Sequence, residues 1–382
     1  MKINIKSKIK NIIAGLAILG ITFSTSFTVS VQAAGAENMT KIFSLDSLIA
    51  EVMNTNPEIK LLENQLVTQE KRYKNAVDNA ESQKLYDDNP GKDIAETKRN
   101  ILLYPLQVKN RLEQLKWEKN NKAMSIKADA SKLYYQHIFK QYEIESQVKA
   151  VEKAKIELTV QQEKVRLGKL SSLSLGQSEN AVELAGQKLD KLNAELKAIE
   201  MKINSLLNYD LDQKIKLNSE TVKIEKYSIN DKDIEALIEK RKLENNSIAQ
   251  LQRQIEEAKI DSYAGSYTRG NAGSNYEMLQ DKPKELENQI EIEKYNIEQK
   301  IRTDYTKILN LYDNISISKL QYDLSAKLFD VADTKYKQEM ISYVDYLKAA
   351  EDKENAMIQY DQAQLSYLTA VLDFKLYTEQ LV

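Results

Sequence analysis

The sequence predicts an all-α protein made of long antiparallel coiled-coil helices in a tandem structural repeat, with few or no β-strands. Three observations support this prediction: few helix-breaking residues, two strict heptad seams, and a constant offset between those seams. Of the 382 residues only 10 are Gly and 4 are Pro, whereas 29% are charged. Such a composition is typical of long helices that pack along narrow apolar seams.

Both seams show the spacing of a coiled coil. Apolar residues alternate at intervals of three and four, which indicates a narrow seam rather than the wider apolar face of a globular helix. The first seam consists of Val182, Ala185, Leu189, Leu192, Leu196, Ile199, Ile203 and Leu206. The second consists of Ala356, Tyr360, Ala363, Tyr367, Ala370, Phe374 and Tyr377.

A constant offset relates the two seams. Adding 171 to the seven seam positions that begin at Ala185 gives the second seam in order, and the same offset places Tyr134 on Tyr305 and Lys164 on Lys335. Two seams in one register indicate an internal duplication. We therefore divide the chain into a signal peptide (1–33), a first helical repeat (44–208), an inter-repeat linker (209–230) and a second helical repeat (231–382).

The first repeat is predicted to contain three helices. One runs from about Leu45 to Lys84 and ends before a turn sequence, Asp-Asn-Pro-Gly, at 88–91. The next, from about Thr97 to Leu167, would reach roughly 100 Å at 1.5 Å per residue, with fraying near Pro105. Gly168 and a Ser-rich segment interrupt it, and a return helix follows to about Leu207.

The linker and the second repeat follow in the same way. Residues 214–217 and 222–224 alternate polar and apolar side chains, which predicts two short half-buried strands. A helix is expected to start near Asp231 and to be interrupted at 262–282, a segment rich in Gly, Ser, Tyr and Asn. The second long helix is predicted from about Pro283 to Lys337 and the last from about Tyr343 to Glu379.

The N-terminus has the features of a secretory signal. Four lysines precede an apolar segment from Ile12 to Phe27, and Val31-Gln32-Ala33 offers small residues at a cleavage site. An uncleaved membrane anchor is the alternative, which the shortness of the apolar segment disfavours. The chain has no Cys, which excludes a lipid-modified cysteine and disulfides. We therefore expect an exported protein of the cell envelope.

Several classes of function are disfavoured by composition. Loss of the four lysines would change the formal charge from −2 to about −6, too little and too evenly mixed to indicate a nucleic-acid partner. His137 is the sole histidine and lies within a predicted helix, so a metal site or histidine-based catalysis is not expected. Neither a phosphate-binding glycine loop nor a nucleophile elbow is present. We expect no enzymatic activity, no catalytic residues, no metal and no cofactor.

Two segments resemble the TolC-type outer membrane efflux proteins. Residues 47–59, which run from an amphipathic helix into Asn56-Pro57-Glu58, resemble the opening signature of that family. Lys335-Tyr336 and the run from Ile341 to Leu347 are similar to the turn motif of its second repeat. The resemblance, which extends to the duplicated helical layout, implies a homotrimer with a hollow α-barrel.

The resemblance also implies a function. The trimer would be a passive conduit for efflux or secretion, working with a periplasmic adaptor and an inner-membrane transporter in the cell envelope, in the outer membrane if the protein is typical of the family. The alternative is a coiled-coil scaffold of the envelope or cell surface without transport activity. A monomer or dimer in solution would favour that alternative.

One feature of the family is expected to be absent. Membrane-crossing strands of its barrel would be inserted at 85–96 and 262–282, and a hairpin of such strands needs roughly 20 or more residues with its turn. The first segment has only 12 residues and lacks alternation, and Arg269-Gly270-Asn271 breaks the alternation in the second. We therefore predict a TolC-like α-barrel without the membrane strands, which supports the scaffold alternative.

The turns between helices are the candidate functional sites. By the resemblance, the partner-docking tips are Leu167, Gly168, Lys169, Leu170 and Ser171 in the first repeat and Glu339, Met340, Ile341 and Ser342 in the second. Glu339 stands where the first tip has Gly168, which argues against symmetric docking. Alternatively, both turns only close coiled-coil hairpins, with Ser171 and Ser342 as N-caps.

A channel constriction is the second candidate site. By the resemblance, Asp345 corresponds to an acidic residue that narrows the closed end, and three copies would form a cation-favouring ring. Lys348 lies where a second acidic ring is common, so the two residues could instead form an ion-pair lock between subunits. Asp345 could also be only an exposed charge at a helix N-terminus, where the helix dipole favours it.

Overall fold

The structure is a computed structural model that describes residues 41–84, 93–169, 171–218, 222–267 and 273–379. The signal-peptide prediction lies outside these residues. The helices are α1 (Leu45–Thr55), α2 (Pro57–Lys84), α3 (Ile94–Lys98), α4 (Tyr104–Arg166), α5 (Ser172–Leu207), α6 (Asp231–Glu244), α7 (Asn246–Gly265), α8 (Gly273–Lys337) and α9 (Tyr343–Glu379). The two strands are β1 (Lys41–Phe43) and β2 (Ile215–Leu217). The predicted all-α fold class is confirmed.

The first helix of each predicted repeat is broken, where we predicted a continuous helix. In the first repeat the break falls at Asn56, whose backbone is extended (φ −61°, ψ 125°) because a residue before proline is forced away from helical geometry. In the second it falls at Asn245, also extended, whose side chain accepts a hydrogen bond from the backbone N–H of Ile248 at 3.1 Å. Asn245 thus caps a new helix.

A π-helical turn, Arg99–Leu103, joins α3 to α4. Pro105 follows directly, and it can neither donate a backbone hydrogen bond nor fit against the carbonyl four residues earlier. The backbone N–H of Tyr104 accordingly donates to the carbonyl of Arg99, five residues back. The predicted irregularity near Pro105 is therefore a change of helix type rather than fraying, and the 63 residues of α4 continue from it.

The linker contributes one strand instead of the predicted two. β2 pairs in parallel with β1, with Ile42 opposite Lys216. Residues 222–224 are not in a strand. Alternation alone identified both segments, but a strand needs a partner, and β1 supplies one to residues 215–217. Sequence analysis did not predict β1.

The second long helix starts earlier than predicted. α8 begins at Gly273, so Pro283 lies inside the helix, ten residues from its start, and not in its first turn. The prediction that segments 85–96 and 262–282 cannot hold membrane-crossing strands falls partly on 85–92 and 268–272, which lie outside the described residues.

The predicted seam residues form much of the interior. In α5, Leu192 and Ile203 are buried, and in α9 Tyr367 and Phe374 are each 1% exposed. α5 packs along α4, and α9 packs along α8. Each pair is therefore an antiparallel coiled-coil hairpin, which we call the first hairpin (α4 and α5) and the second hairpin (α8 and α9).

Both hairpins are tied to the linker by a tyrosine. The hydroxyl of Tyr134 in α4 donates to the carbonyl of Asn218 at 2.6 Å. In α8, the hydroxyl of Tyr305 donates to the carbonyl of Ile229 at 2.9 Å and accepts from its N–H at 3.0 Å. The two tyrosines are the pair that the offset of 171 relates. This similarity agrees with a duplication, but the division into two repeats remains a prediction.

Candidate functional site

The tip of the first hairpin is a tight helix reversal. After α4 ends, Gly168 adopts a left-handed backbone (φ 69°), and the N–H of Lys169 donates to the carbonyl of Lys164 at 2.9 Å. This bond closes the helix in the manner of a Schellman motif. Leu167 is 46% exposed, and Lys169 is exposed. Leu170 lies outside the described residues, and Ser171 occupies the N-cap position of α5.

The tip of the second hairpin has the same backbone arrangement. Glu339 is left-handed (φ 60°), and the N–H of Met340 donates to the carbonyl of Lys335 at 2.9 Å. A side chain at positive φ is strained, since the left-handed region favours glycine. Met340 is 67% exposed, and Ile341 is half-buried. The replacement of Gly by Glu therefore changes the strain and the surface of the tip without changing its turn.

Ser342 and Asp345 form a capping box at the start of α9. The Ser342 hydroxyl accepts from the N–H of Asp345 at 3.1 Å, and the Asp345 carboxylate accepts from the N–H of Ser342 at 3.3 Å and from its hydroxyl at 2.7 Å. Such reciprocal bonds satisfy free N–H groups at a helix start. Asp345 thus has a capping role within one chain, whatever role it has in an assembly.

Asp345 and Lys348 share an open groove between α8 and α9. Both side chains are exposed, and Ser325 and Leu328 line the groove opposite them. Among the described residues, neither forms an ion pair within one chain. Both charges are therefore available to another copy of the chain, and the constriction remains a prediction.

A polar contact joins the two hairpins just behind their tips. The Tyr336 hydroxyl in α8 donates to the Glu157 carboxylate in α4. The Gln161 amide, 3% exposed, donates to both partners, at 2.6 Å each. Sequence analysis placed Tyr336 in a family motif but gave it no role, because its partners lie 175 or more residues away in sequence. We call these three residues the Tyr336 contact.

The Tyr336 contact is supported by stacked aromatic rings. Tyr336 lies over Tyr346 with ring centroids 4.8 Å apart, and Tyr343 stacks on Tyr346 at 6.1 Å. Burial, followed by the hydrogen bond to the Glu157 carboxylate, raises the pKa of Tyr336 well above its ordinary value. Burial likewise raises the pKa of Tyr343 and of Tyr346 to about 12. All three phenols stay protonated at neutral pH, so Tyr336 remains a hydrogen-bond donor.

A buried carboxylate lies farther along the contact between the hairpins. Asp361 in α9 is 8% exposed, and its Oδ2 has no hydrogen-bond partner among the described residues. Burial, followed by repulsion from Glu143 in α4, raises its pKa from 3.8 to about 6. Glu143 and Ser146 of α4 and Leu192 of α5 face it. No sequence pattern distinguishes Asp361 from the many exposed carboxylates.

The described part of the chain offers neither a metal site nor a helix that spans a membrane. That part contains no cluster of three or more His, Cys, Asp or Glu side chains able to hold a metal ion. His137 is buried against Glu200, with its Nε2 3.3 Å from the carboxylate. None of the described helices is both long enough and apolar enough to cross a membrane.

Several solved structures with this fold are outer membrane channels. The chain is 10% identical to the outer membrane channel CmeC of Campylobacter jejuni, with a TM-score of 0.72 over 93% of this chain and 94% of that one. The chain is also 10% identical to CusC, a protein that forms a transmembrane channel, with a TM-score of 0.71 over 91% of this chain and 95% of that one. It is 11% identical to the open state of the outer membrane channel MtrE of Neisseria gonorrhoeae, with a TM-score of 0.63 over 87% of this chain and 88% of that one.

Sequence comparison adds no further relatives. No family model matches the chain, and no curated protein matches it. At 10–11% identity the structural likeness establishes the fold alone. The resemblance to TolC-type outer membrane efflux proteins is thus confirmed as a shared fold.

Proposed function

We propose that this chain is one protomer of a homotrimeric helical conduit for efflux or secretion across the cell envelope. The observation that carries the proposal is the fold it shares with outer membrane channels over 91% and 93% of its length. A periplasmic adaptor would bind the exposed tips, and an inner-membrane transporter would supply the energy. The chain would be exported and would act in the envelope.

The two apolar faces of α8 support assembly with other copies. One face packs within the chain and includes Ile308, Ile315 and Phe329, which are all buried. The other, which we call the outer stripe, consists of Ile317, Leu320, Leu324, Leu328 and Val331, each more than half exposed. Two residues advance about 200° around a helix, so Ile317 lies nearly opposite Ile315. A helix in the wall of a closed barrel needs an apolar contact on each side.

Light scattering of the mature protein, with and without mild detergent, tests the assembly. We expect the mass of a trimer. The double variant Leu320→Glu with Leu324→Glu places two charges in the outer stripe and leaves the inner face intact, so it should yield a monomer of unchanged helicity. Ser316→Glu adds a charge on α8 outside the outer stripe and should leave the trimer intact.

Transport is tested in the cell. A strain without this protein should accumulate a fluorescent dye such as ethidium, and the wild-type chain, but not the double outer-stripe variant, should restore efflux. A wild-type chain that is a stable monomer under all conditions, or dye efflux that is independent of the protein, would refute the proposal and favour an envelope scaffold.

A further inference from the structure

A cavity of about 410 Å³ lies between α6, α8 and the C-terminal end of α9, at the opposite end of α9 from the hairpin tip. The side chains of Leu376 and Tyr377, both half-buried, form part of its apolar lining. Arg241, Lys300 and Lys307 supply cationic groups. A volume of this size is within the range of small-molecule sites, which are mostly apolar with a few fixed polar groups. We call it the Arg241 cavity.

Arg241 is the unusual member of this lining. The residue is 8% exposed, and its guanidinium carbon lies 4.9 Å from the centroid of the Tyr377 ring. Its Nε and Nη1 donate to no acceptor within the described residues. A buried charged donor without an acceptor is costly, whereas a charge-assisted bond to an oxyanion is strong. The ring and hydroxyl of Tyr377 both contact the guanidinium, but they leave Nε and Nη1 without an acceptor.

The carboxylates of the cavity do not neutralise Arg241. Asp304 pairs with Lys300 at 2.8 Å, and Asp373 pairs with Lys132 at 2.5 Å. Within the described chain neither Arg241 nor Lys307 forms an ion pair. Arg241 and Lys307 are therefore two positive charges without a carboxylate partner, next to the apolar lining of the cavity.

We infer that the Arg241 cavity binds a small organic carboxylate, whose oxygens accept hydrogen bonds from Arg241 and whose apolar body packs on Leu376 and Tyr377. The planar guanidinium matches a carboxylate in geometry, and Lys307 adds a second, exposed positive charge. Inorganic phosphate carries a negative charge but lacks an apolar part to pack on Leu376 and Tyr377, and a neutral aromatic molecule has the apolar part but no charge. Each should therefore bind more weakly than an organic carboxylate. The inference is independent of the proposed conduit.

Isothermal titration of the mature full-length protein with benzoate, benzyl alcohol and inorganic phosphate tests the inference. We expect saturable benzoate binding that sodium chloride weakens, with benzyl alcohol and phosphate binding much less. Arg241→Met keeps the volume of the side chain and removes its donors. It should weaken benzoate binding about 10- to 100-fold, the value of a charge-assisted hydrogen bond.

A matched pair of lysine variants provides the control. Lys307→Gln should weaken benzoate binding by about threefold, as expected for an exposed charge, whereas Lys319→Gln on the same helix should not. This pair decides the question by itself if Arg241→Met does not fold, as judged by circular dichroism. Absent benzoate binding, equal binding of benzyl alcohol or phosphate, or equal effects of the two lysine variants would overturn the inference.

Discussion

Asp361→Asn is expected to remove a pH dependence from the packing of the two hairpins. Asp361 is buried between α9 and the first hairpin, where burial and Glu143 raise its pKa from 3.8 to about 6. The other charged groups nearby are paired. Lys140 binds Glu143 at 2.5 Å, and Lys188 binds Glu354 at 2.8 Å. Asp361 is the carboxyl group of this contact whose pKa burial raises.

The magnitude follows from the two pKa values. Because the folded-state pKa is the higher one, the contribution of Asp361 to the free energy of unfolding is fully present below pH 3.8 and is lost as the pH rises through about 6. A difference of about two pKa units corresponds to ~3 kcal/mol. The asparagine side chain does not titrate, so it has no such loss.

Chemical unfolding followed by circular dichroism at pH 4.5 and pH 7.5 checks this prediction. The stability of Asp361→Asn relative to wild type should rise by ~2 kcal/mol between the two pH values, because about a third of the total change already occurs below pH 4.5. Any constant cost of the amide cancels in that comparison. Asp352→Asn, on an exposed face of the same helix, controls for the removal of a carboxylate. A relative stability that stays constant within about 0.5 kcal/mol would refute the reasoning.

Three further predictions concern the hairpin tips. Glu339→Gly should raise the free energy of unfolding by about 1 kcal/mol because it relieves a left-handed residue, and Gly168→Ala should lower it by a similar amount, both measured by thermal unfolding. Tyr336→Phe should cost about 1–3 kcal/mol because the Glu157 carboxylate loses one of its two donors and the buried Gln161 amide loses an acceptor, whereas Tyr322→Phe should cost little. A larger loss of stability for Tyr322→Phe than for Tyr336→Phe in denaturant titration would contradict this. Ser342→Ala should cost about 1 kcal/mol through loss of the cap, and an unchanged melting temperature would argue against the capping box.

The coiled-coil architecture could be predicted because heptad spacing determines which side chains share a helix face. Ile203 and Tyr367, separated by nearly half the chain, were both assigned to seams from spacing alone, and both are buried. The ends of helices were less predictable. Proline usually breaks a helix, yet α8 continues through Pro283, because the packing of a long helix outweighs one missing hydrogen bond.

The candidate site could be predicted only in part. The turns at Gly168 and Glu339 were placed by the offset, and the structure gives both the same left-handed geometry. The Tyr336 contact and the burial of Asp361 depend on how the two hairpins pack on one another. Contacts between residues so far apart in sequence leave no local pattern, and a single buried Asp looks like any surface Asp.

The two ends of the hairpins are held by different kinds of contact. At the linker end, Tyr134 and Tyr305 bind uncharged backbone groups next to apolar cores, and the Asp373 carboxylate that pairs with Lys132 of α4 is already 54% exposed. Toward the tips, the hairpins meet through the charged Glu157 and the titratable Asp361. Separation of charged groups into water recovers their solvation, whereas exposure of an apolar core has no such compensation. The tip end should therefore open at lower free energy than the linker end, and faster hydrogen exchange in α9 near Tyr346 than near Tyr367 would show this difference.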